Sequence, residues 1–300
     1  MKLETRIGRL TLSTPLIGAS GLFGYGDEYK GLVDFSAMGA VITKTITPEP
    51  REGNPPPRLV DLGGGILNSI GLENIGLRAF KHSRLPEVDI PCKLIVSIGG
   101  ATVDDYTRLA AELDGVDGIE GVEVNISCPN VKEGGMAFGS NPETTRKVVE
   151  GVRRKTGLTV LVKVPPLIWG LEAVCRSAIE AGADAMVVAN TYPAMAIDPS
   201  SGRPILGAAT GGLSGRAIKP ISLLLVWRAA KACDVPIVGG GGIEQPEDVV
   251  EYILAGACAL QVGSVIFKDF KAPTHILEGV REYMKRKGYE SICDFKGMSA

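Results

Sequence analysis

The stretch "GLTVLVKVPPLIWGLEAVCRSAIEAGADAMVVAN" (157–190) decides the fold class. It begins with an apolar, β-branched run at 160–164, continues through an amphipathic segment of helix length that ends at Gly182, and closes with a second apolar run at 185–189. Strands that are apolar on both faces and joined by a helix are typical of a parallel sheet, because parallel strands need a long crossover. The stretch therefore predicts one strand–helix–strand unit.

The same unit recurs along the chain. Eight units with right-handed crossovers predict an α/β fold in which the sheet closes into a (β/α)₈ TIM barrel. A doubly wound open sheet is the alternative, but that fold more often carries its glycine-rich loop after the first strand, whereas the glycine-rich loops here come late. The eight predicted strands are the apolar runs at 16–19, 41–44, 94–98, 122–126, 160–164, 185–189, 236–239 and 259–262.

Three segments add to the plain barrel. The N-terminal "TRIGRLTLSTP" (5–15) predicts a small hairpin over the bottom of the barrel. The connections 45–93 and 190–216 are too long for simple loops, and ordered excursions of that length are usually functional. We expect both at the C-terminal face of the barrel, where active sites of this fold lie. Because the chain has neither an internal repeat nor a low-complexity linker, we predict a single domain over 1–300.

The composition excludes several classes of function. The net charge is −2, so we expect neither nucleic acid nor an anionic membrane as a partner. The start "MKLETRIGRL" has no apolar signal segment, and the chain has no run of about 18 apolar residues, which predicts a cytoplasmic protein without a membrane span. None of the six cysteines forms a C-x-x-C pair and there are only two histidines, so we expect reduced thiols and no metal site.

Two glycine-rich loops follow the last two predicted strands. They are "IVGGGGI" (237–243) and "LQVGSVIF" (260–267). In a (β/α)₈ barrel these two loops commonly bind a phosphate, because glycine lets backbone N–H groups approach the anion closely. A tight turn without a ligand is the alternative reading of either loop alone. Together the loops predict a phosphate site, and they leave open whether the phosphate belongs to a substrate or to a cofactor.

Polar side chains at the strand ends indicate a binding site at the same face. Lys44 and Lys163 each lie in an apolar run, and a buried lysine is costly unless it meets an anion. A phosphate, an anionic ring or a substrate carboxylate would each satisfy them, and a lysine that extends to the rim is the alternative. Cys128 follows the fourth predicted strand between Ser127 and Pro129, where a thiol can act as a nucleophile or a base.

Six further motifs follow one another along the chain: "TKTIT" (43–47), "NSIGLEN" (68–74), "NISCPNVKEGG" (125–135), "MAID" (195–198), "TGGLSG" (210–215) and "VGS" (262–264). They resemble the motifs of the dihydroorotate dehydrogenase family, in the family's order, and the resemblance extends from about position 17 to position 267. The cysteine in "SCPNVKEGG" resembles that of the NAD-linked class B branch, since the quinone-using membrane branch has serine there.

The resemblance implies a flavoprotein that oxidises (S)-dihydroorotate to orotate in de novo pyrimidine (UMP) biosynthesis, with one FMN in a single catalytic domain. It implies that Cys128 is the base that removes the C5 proton while the C6 hydride passes to flavin N5. The implied substrate contacts are Lys44, Asn68, Ser69, Ile70, Gly71, Leu72, Asn125, Asn190 and Thr191. The implied FMN contacts are Ser20, Lys44, Thr45, Asn125, Lys163, Ala189, Gly215, Gly241, Gly242, Gly263 and Ser264.

The class B branch also implies a partner. Electrons would pass to NAD⁺ through an iron–sulfur flavoprotein subunit that carries FAD and a [2Fe–2S] cluster, in a heterotetramer built on a homodimer. The sequence departs from the family at four places: Ser97 replaces an asparagine, "KVPPLIW" (163–169) replaces the usual residues after the fifth strand, Pro193-Ala194 replaces a Leu-Gly pair, and Ser264 conservatively replaces the commoner threonine.

Two other functions remain open at the level of sequence. The first is a dihydropyrimidine dehydrogenase-like flavoenzyme that acts on uracil or thymine, which lack the carboxylate of dihydroorotate. The second is a phosphate-binding barrel lyase or aldolase in which Lys163 or Lys44 forms a Schiff base. A purely structural role explains neither the buried lysines nor the amides at the strand ends.

Overall fold

Eight parallel strands close into a barrel in the computed structural model, which describes residues 1–127 and 136–299. In chain order the strands are β1 (Thr5–Ile7), β2 (Leu10–Leu12), β3 (Leu16–Gly18), β4 (Ala40–Ile42), β5 (Leu59–Asp61), β6 (Ile66–Asn68), β7 (Lys93–Ile98), β8 (Gly121–Asn125), β9 (Thr159–Lys163), β10 (Ala185–Val188), β11 (Tyr192–Met195), β12 (Ile197–Asp198), β13 (Arg203–Pro204), β14 (Thr210–Ser214), β15 (Ile237–Gly240) and β16 (Ala259–Val262). The barrel order is β3-β4-β7-β8-β9-β10-β15-β16, with β16 beside β3, which confirms the predicted fold class and its eight strands.

Amphipathic helices form the outer layer. In helix α2 (Val103–Leu113), for example, Tyr106 and Leu113 are buried. Thr102 and Asp105 cap its first turn by exchanging side-chain-to-backbone hydrogen bonds. The crossover from β3 to β4 contains only a 3₁₀ turn at Phe35–Ala37 in place of a helix. The α-helices are α1 (Gly76–Ala79), α2 (Val103–Leu113), α3 (Met136–Gly139), α4 (Pro142–Arg153), α5 (Leu171–Glu180), α6 (Lys219–Ala232), α7 (Pro246–Leu254) and α8 (Ala272–Lys287).

The two long connections pair with each other. Strands from both form one antiparallel sheet in the order β11-β14-β6-β5, which we call the insertion sheet. Its register places Asn68 opposite Gly212 and Leu67 opposite Leu213. Gly212 is required here, because a Cβ atom at this position would lie 2.0 Å from Thr191 Oγ1. The predicted excursions therefore form a single structure at the C-terminal face.

The predicted hairpin closes the opposite end of the barrel. Strands β1 and β2 pair in an antiparallel hairpin, and Ile7, Leu10 and Leu12 are buried against side chains inside the barrel such as Ile17 and Leu161. This apolar plug leaves the C-terminal face as the open end of the barrel. Within the described residues, no helix is both long enough and apolar enough to cross a lipid bilayer.

Candidate functional site

A cavity opens at the carboxyl ends of the barrel strands, and residues of the insertion sheet line one side of it. Ser69 lies behind the cavity wall, and Cys128 lies outside the described residues. The structure brings together the other residues expected in the site: Ser20, Lys44, Thr45, Asn68, Ile70, Gly71, Leu72, Asn125, Lys163, Ala189, Asn190, Thr191, Gly215, Gly241, Gly242, Gly263 and Ser264.

The loop that follows β6 is held from behind by two asparagines. Asn54 donates its backbone N–H to the Ile70 carbonyl at 3.0 Å and its side-chain N–H to Ser69 Oγ at 2.8 Å. Asn74 donates its side-chain N–H to the Leu72 carbonyl at 2.8 Å. Ser69 therefore supports the loop with its side chain, while the neighbouring residues face the cavity.

Three asparagine side chains line the cavity, and two of them belong to one hydrogen-bonded chain. Asn190 Nδ2 donates to Ser127 Oγ at 2.8 Å, Ser127 Oγ donates to Asn125 Oδ1 at 2.8 Å, and Asn125 Nδ2 donates to Thr45 Oγ1 at 3.0 Å. Asn68 Nδ2 donates to the Gly212 carbonyl at 3.0 Å. Each amide NH₂ carries two N–H groups, so the contacts among the described residues leave one on each amide for a ligand.

Glycine loops form the other end of the cavity. The loops after β15 and β16 are adjacent because these strands pair, and Gly241, Gly242, Gly263 and Ser264 line the cavity there. Gly215 lies next to these loops: a Cβ atom added to Gly242 would be only 2.9 Å from the Gly215 carbonyl oxygen. The predicted phosphate loops thus meet at one place, where backbone and a hydroxyl replace bulky side chains.

Tyr252 fixes the orientation of a peptide in this glycine end. Its hydroxyl donates to the Gly241 carbonyl at 2.7 Å. In a trans peptide the following N–H points the opposite way, so the Gly242 N–H is directed away from Tyr252; Gly242 lines the cavity, and none of the described residues accepts a hydrogen bond from this N–H. Burial raises the pKa of Tyr252, which keeps the hydroxyl protonated as a donor.

Asp248 anchors the segment that follows the glycines. Its carboxylate accepts from Lys219 Nζ at 2.5 Å and from the backbone N–H groups of Glu244 and Gln245, each at 2.8 Å. Burial opposes ionisation, but these hydrogen bonds outweigh burial and lower the pKa of Asp248. The carboxylate is therefore charged near neutral pH and holds the start of α7 against the start of α6.

Lys44 lies at the mouth of the cavity, in the loop after β4. Its Nζ is 3.8 Å from Glu73 Oε1, and the other oxygen of Glu73 contacts Arg58. The Arg58 guanidinium also donates to the Glu52 carbonyl at 2.7 Å. Sequence reasoning missed Glu73, although it lies in the motif that supplies the neighbouring loop.

Lys163 ends β9 and faces the barrel interior. Its Nζ donates to Gln261 Oε1 at 2.7 Å and is 3.9 Å from Glu123 Oε2. The anion that its burial requires is thus supplied by the barrel itself. Sequence reasoning missed Glu123 and Gln261, even though each is a polar residue within an apolar strand, which is the signal that singled out Lys163. Besides Glu73 and Gln261, the residues that line the cavity without having been predicted are Ala19, Gly21, Leu22, Leu59, Ile66, Ser214, Ile218, Gly240, Ile243 and Phe267.

Comparisons with known proteins agree over nearly the whole chain. A family model described as "Dihydroorotate dehydrogenase" matches residues 2–284. The chain is 45% identical to the "Dihydroorotate dehydrogenase B (NAD(+)), catalytic subunit" of Desulforamulus reducens, over 99% of this chain and 98% of the relative. Proteins of the same name from Desulforudis audaxviator and Porphyromonas gingivalis are 43% and 42% identical, each over 99% of this chain and over 98% and 97% of the relatives.

The fold is also similar to a solved structure. The crystal structure of DHODH from Eimeria tenella in complex with ferulenol superposes with a TM-score of 0.82 and 25% sequence identity. The superposition covers 99% of this chain and 88% of that chain.

Proposed function

Because the chain belongs to the dihydroorotate dehydrogenase family, we propose that it oxidises (S)-dihydroorotate to orotate in de novo pyrimidine (UMP) biosynthesis, with one FMN per chain. The observation that carries this proposal is the cavity, which has a glycine end suited to a phosphate and an amide-lined part suited to a pyrimidine ring. We assign the whole chain to a single catalytic domain in the cytoplasm.

The residues at the glycine end fit the phosphate of FMN. Gly215, Gly241 and Gly242 have φ angles of +98°, +124° and +70°, a backbone region that favours glycine. A side chain on Gly241 would also collide with Ser222, since its Cβ atom would lie 2.3 Å from Ser222 Oγ. The loops therefore present backbone N–H groups, together with the Ser264 hydroxyl, to an anion.

The flavin ring would lie over the polar part of the cavity. Lys163 supplies a positive charge, which suits a ring that becomes anionic on reduction. Ser20 and Thr45 supply hydroxyl groups, and Ala189 supplies backbone. When bound, FMN supplies a hydride acceptor, which amino-acid side chains do not offer.

The substrate is oriented by amides and by a charge. The remaining N–H groups of Asn68, Asn125 and Asn190 match the carbonyl acceptors along the edge of a dihydropyrimidine ring. Lys44 would pair with the carboxylate of dihydroorotate, which dihydrouracil lacks. The loop fixed by Asn54 would hold the ring in one orientation, which is the main requirement for a proton and a hydride to leave from adjacent carbons.

We assign the removal of the C5 proton to Cys128. The residue before it, Ser127, is buried and hydrogen-bonded to Asn125 and Asn190. In the sequence, the cysteine therefore directly follows a residue that contacts two of the proposed substrate amides. In its thiolate form the Cys128 side chain would accept the C5 proton, become the thiol, and so act as the general base of the reaction. The assignment rests on the motif "NISCPN" and on this connection.

The names of the relatives include "catalytic subunit" and "NAD(+)", and on that basis we propose a partner for this chain. The partner would be an iron–sulfur flavoprotein that carries FAD and a [2Fe–2S] cluster and passes electrons to NAD⁺, in a heterotetramer built on a homodimer of this chain. The isolated chain should accordingly reduce NAD⁺ much more slowly than the complex, and equal rates would contradict the need for a partner.

The visible spectrum of the purified chain tests cofactor and substrate together. We expect bound FMN, and we expect dihydroorotate to bleach its absorbance under anaerobic conditions while dihydrouracil does not. A protein that takes up no FMN would refute the proposal, and bleaching by dihydrouracil alone would favour a dihydropyrimidine dehydrogenase. Cys128→Ser should keep FMN but slow the bleaching by about 10²–10⁴-fold. An unchanged rate would remove Cys128 from the role of base.

A further inference from the structure

A carboxylate lies inside the barrel, below the cavity and outside the set of residues that the proposed function uses. Glu123 is in β8, and none of its surface is exposed. Its side chain accepts from Ser97 Oγ at 3.2 Å, on the neighbouring strand β7, and from Gln261 Nε2 at 2.6 Å. Gln261 belongs to β16, which is on the opposite side of the barrel from β8, so this hydrogen bond crosses the barrel interior.

The Gln261 amide connects Glu123 to Lys163. Its Nε2 donates to the Glu123 carboxylate at 2.6 Å while its Oε1 accepts from Lys163 Nζ at 2.7 Å. The reverse orientation of the amide would place an N–H₂ group against the ammonium and a carbonyl oxygen against the carboxylate. The two charges therefore fix the amide orientation, and the amide in turn fixes the position of the ammonium.

Glu123 is also the counter-charge of Lys163. The carboxylate oxygen is 3.9 Å from Nζ, and both side chains are almost entirely buried. A buried charge that loses its partner is strongly unfavourable, so each group holds the other in place. Gln261 and Lys163 line the cavity, whereas Glu123 does not, which makes Glu123 a charge that acts on the cavity from beneath.

From this geometry we infer that Glu123 is a positioning residue that holds the Lys163 ammonium in the cavity floor through Gln261, and that it sets the reduction potential of the bound flavin by compensating that ammonium. The inference rests on the proposed function, because it takes FMN as the cofactor. A net positive charge beside a flavin favours the reduced, anionic ring, and Glu123 reduces that net charge.

The test first removes the negative charge at position 123 and then places a negative charge at position 261 instead. Glu123→Gln removes it, and Glu123→Gln/Gln261→Glu restores it beside Lys163: the new amide at position 123 can donate to the new carboxylate at position 261, which can still accept from Lys163. The readout is the midpoint potential of bound FMN, measured by anaerobic titration against a reference dye. We expect Glu123→Gln to shift the potential in the positive direction, the double variant to reverse most of that shift, and Lys163→Met to shift it in the negative direction.

A potential that does not change in Glu123→Gln, or a shift that the double variant does not reverse, overturns the inference. If Glu123→Gln folds too poorly to retain FMN, recovery of FMN binding in the double variant supports the inference, and failure of both variants to bind FMN overturns it. Failure of the proposed function gives a different result, because the wild-type chain itself would then bind no FMN.

Discussion

Tyr252→Phe should weaken the binding of FMN but not the binding of riboflavin, which lacks the phosphate. The hydroxyl that this change removes donates to the Gly241 carbonyl at 2.7 Å and so fixes the orientation of the Gly241–Gly242 peptide, which lines the cavity. The tyrosine does not line the cavity, so the change removes no contact with the ligand itself. Its effect on binding must therefore pass through the orientation of the Gly241–Gly242 peptide.

The size of the effect follows from the hydrogen bonds involved. A buried neutral hydrogen bond contributes about 0.5–1.5 kcal/mol, and a hydrogen bond to a charged group about 1.5–3 kcal/mol. A peptide that loses its anchor keeps part of its interaction with the phosphate, so we expect a loss of about 1–2 kcal/mol. At about 1.4 kcal/mol for each factor of ten, this loss raises the dissociation constant of FMN about five- to thirtyfold.

Fluorescence titration of the apoprotein measures both dissociation constants, because binding changes the emission of FMN and of riboflavin. We expect the riboflavin constant to stay within about twofold of wild type, since no phosphate-directed hydrogen bond is involved. Tyr192→Phe is a matched control, because the Tyr192 hydroxyl is 3.1 Å from Ser222 Oγ and bonds no glycine carbonyl in the part of the chain that the structure describes. Equal weakening of FMN and riboflavin by Tyr252→Phe, or no weakening of either, would refute the reasoning.

Three further changes have distinct expected results. Asn54→Ala removes a support of the loop that follows β6 and should raise KM for dihydroorotate about fivefold without changing FMN affinity; a weaker affinity for FMN together with the higher KM would contradict this role. Glu73→Gln should lower that KM about two- to fivefold at low salt and less at high salt, because Lys44 loses a competing carboxylate; a higher KM would show that the pair helps binding. Asp248 has a lowered pKa, so its ionised form stabilises the fold above the ordinary carboxyl pKa, and this stabilisation is lost as the pH falls through the lowered value. Asp248→Asn should therefore cost about 2 kcal/mol in urea unfolding at pH 7, with the difference shrinking in acid; a constant difference would exclude the charge as the cause.

The barrel could be predicted from the sequence because its signals are local. Each barrel strand is an apolar run, and the helices in most crossovers have their own period and end signals, so the eight strands are recognisable without any long-range information. The insertion sheet has no such signal. Its strands are only three to five residues long, and it joins Asn68 to Gly212 across 144 positions of sequence. Pairing of this kind depends on the barrel that brings the two segments together.

The position of the cavity residues was also predictable, because a barrel places the carboxyl ends of all its strands at one face. That rule predicts that the glycine loops and the amides meet at one end of the barrel, and the structure places them around one cavity there. It could not identify Glu123, since a single carboxylate in an apolar run gives no information about which strand faces it across the barrel. The partner of a buried charge is a property of the closed barrel, not of the strand.

Lys44 and Lys163 illustrate this limit, because they occupy similar positions in the sequence but different surroundings in the structure. The Lys163 side chain is 7% exposed, and its carboxylate partner is fully buried. The Lys44 side chain is 23% exposed, and its partner Glu73 is 45% exposed. An ion pair in contact with water is worth about 0–1 kcal/mol and opens easily, whereas a buried pair does not. In the proposed function, Lys44 would therefore exchange Glu73 for the carboxylate of the substrate in each turnover, and Lys163 would provide a fixed charge for a cofactor that stays bound.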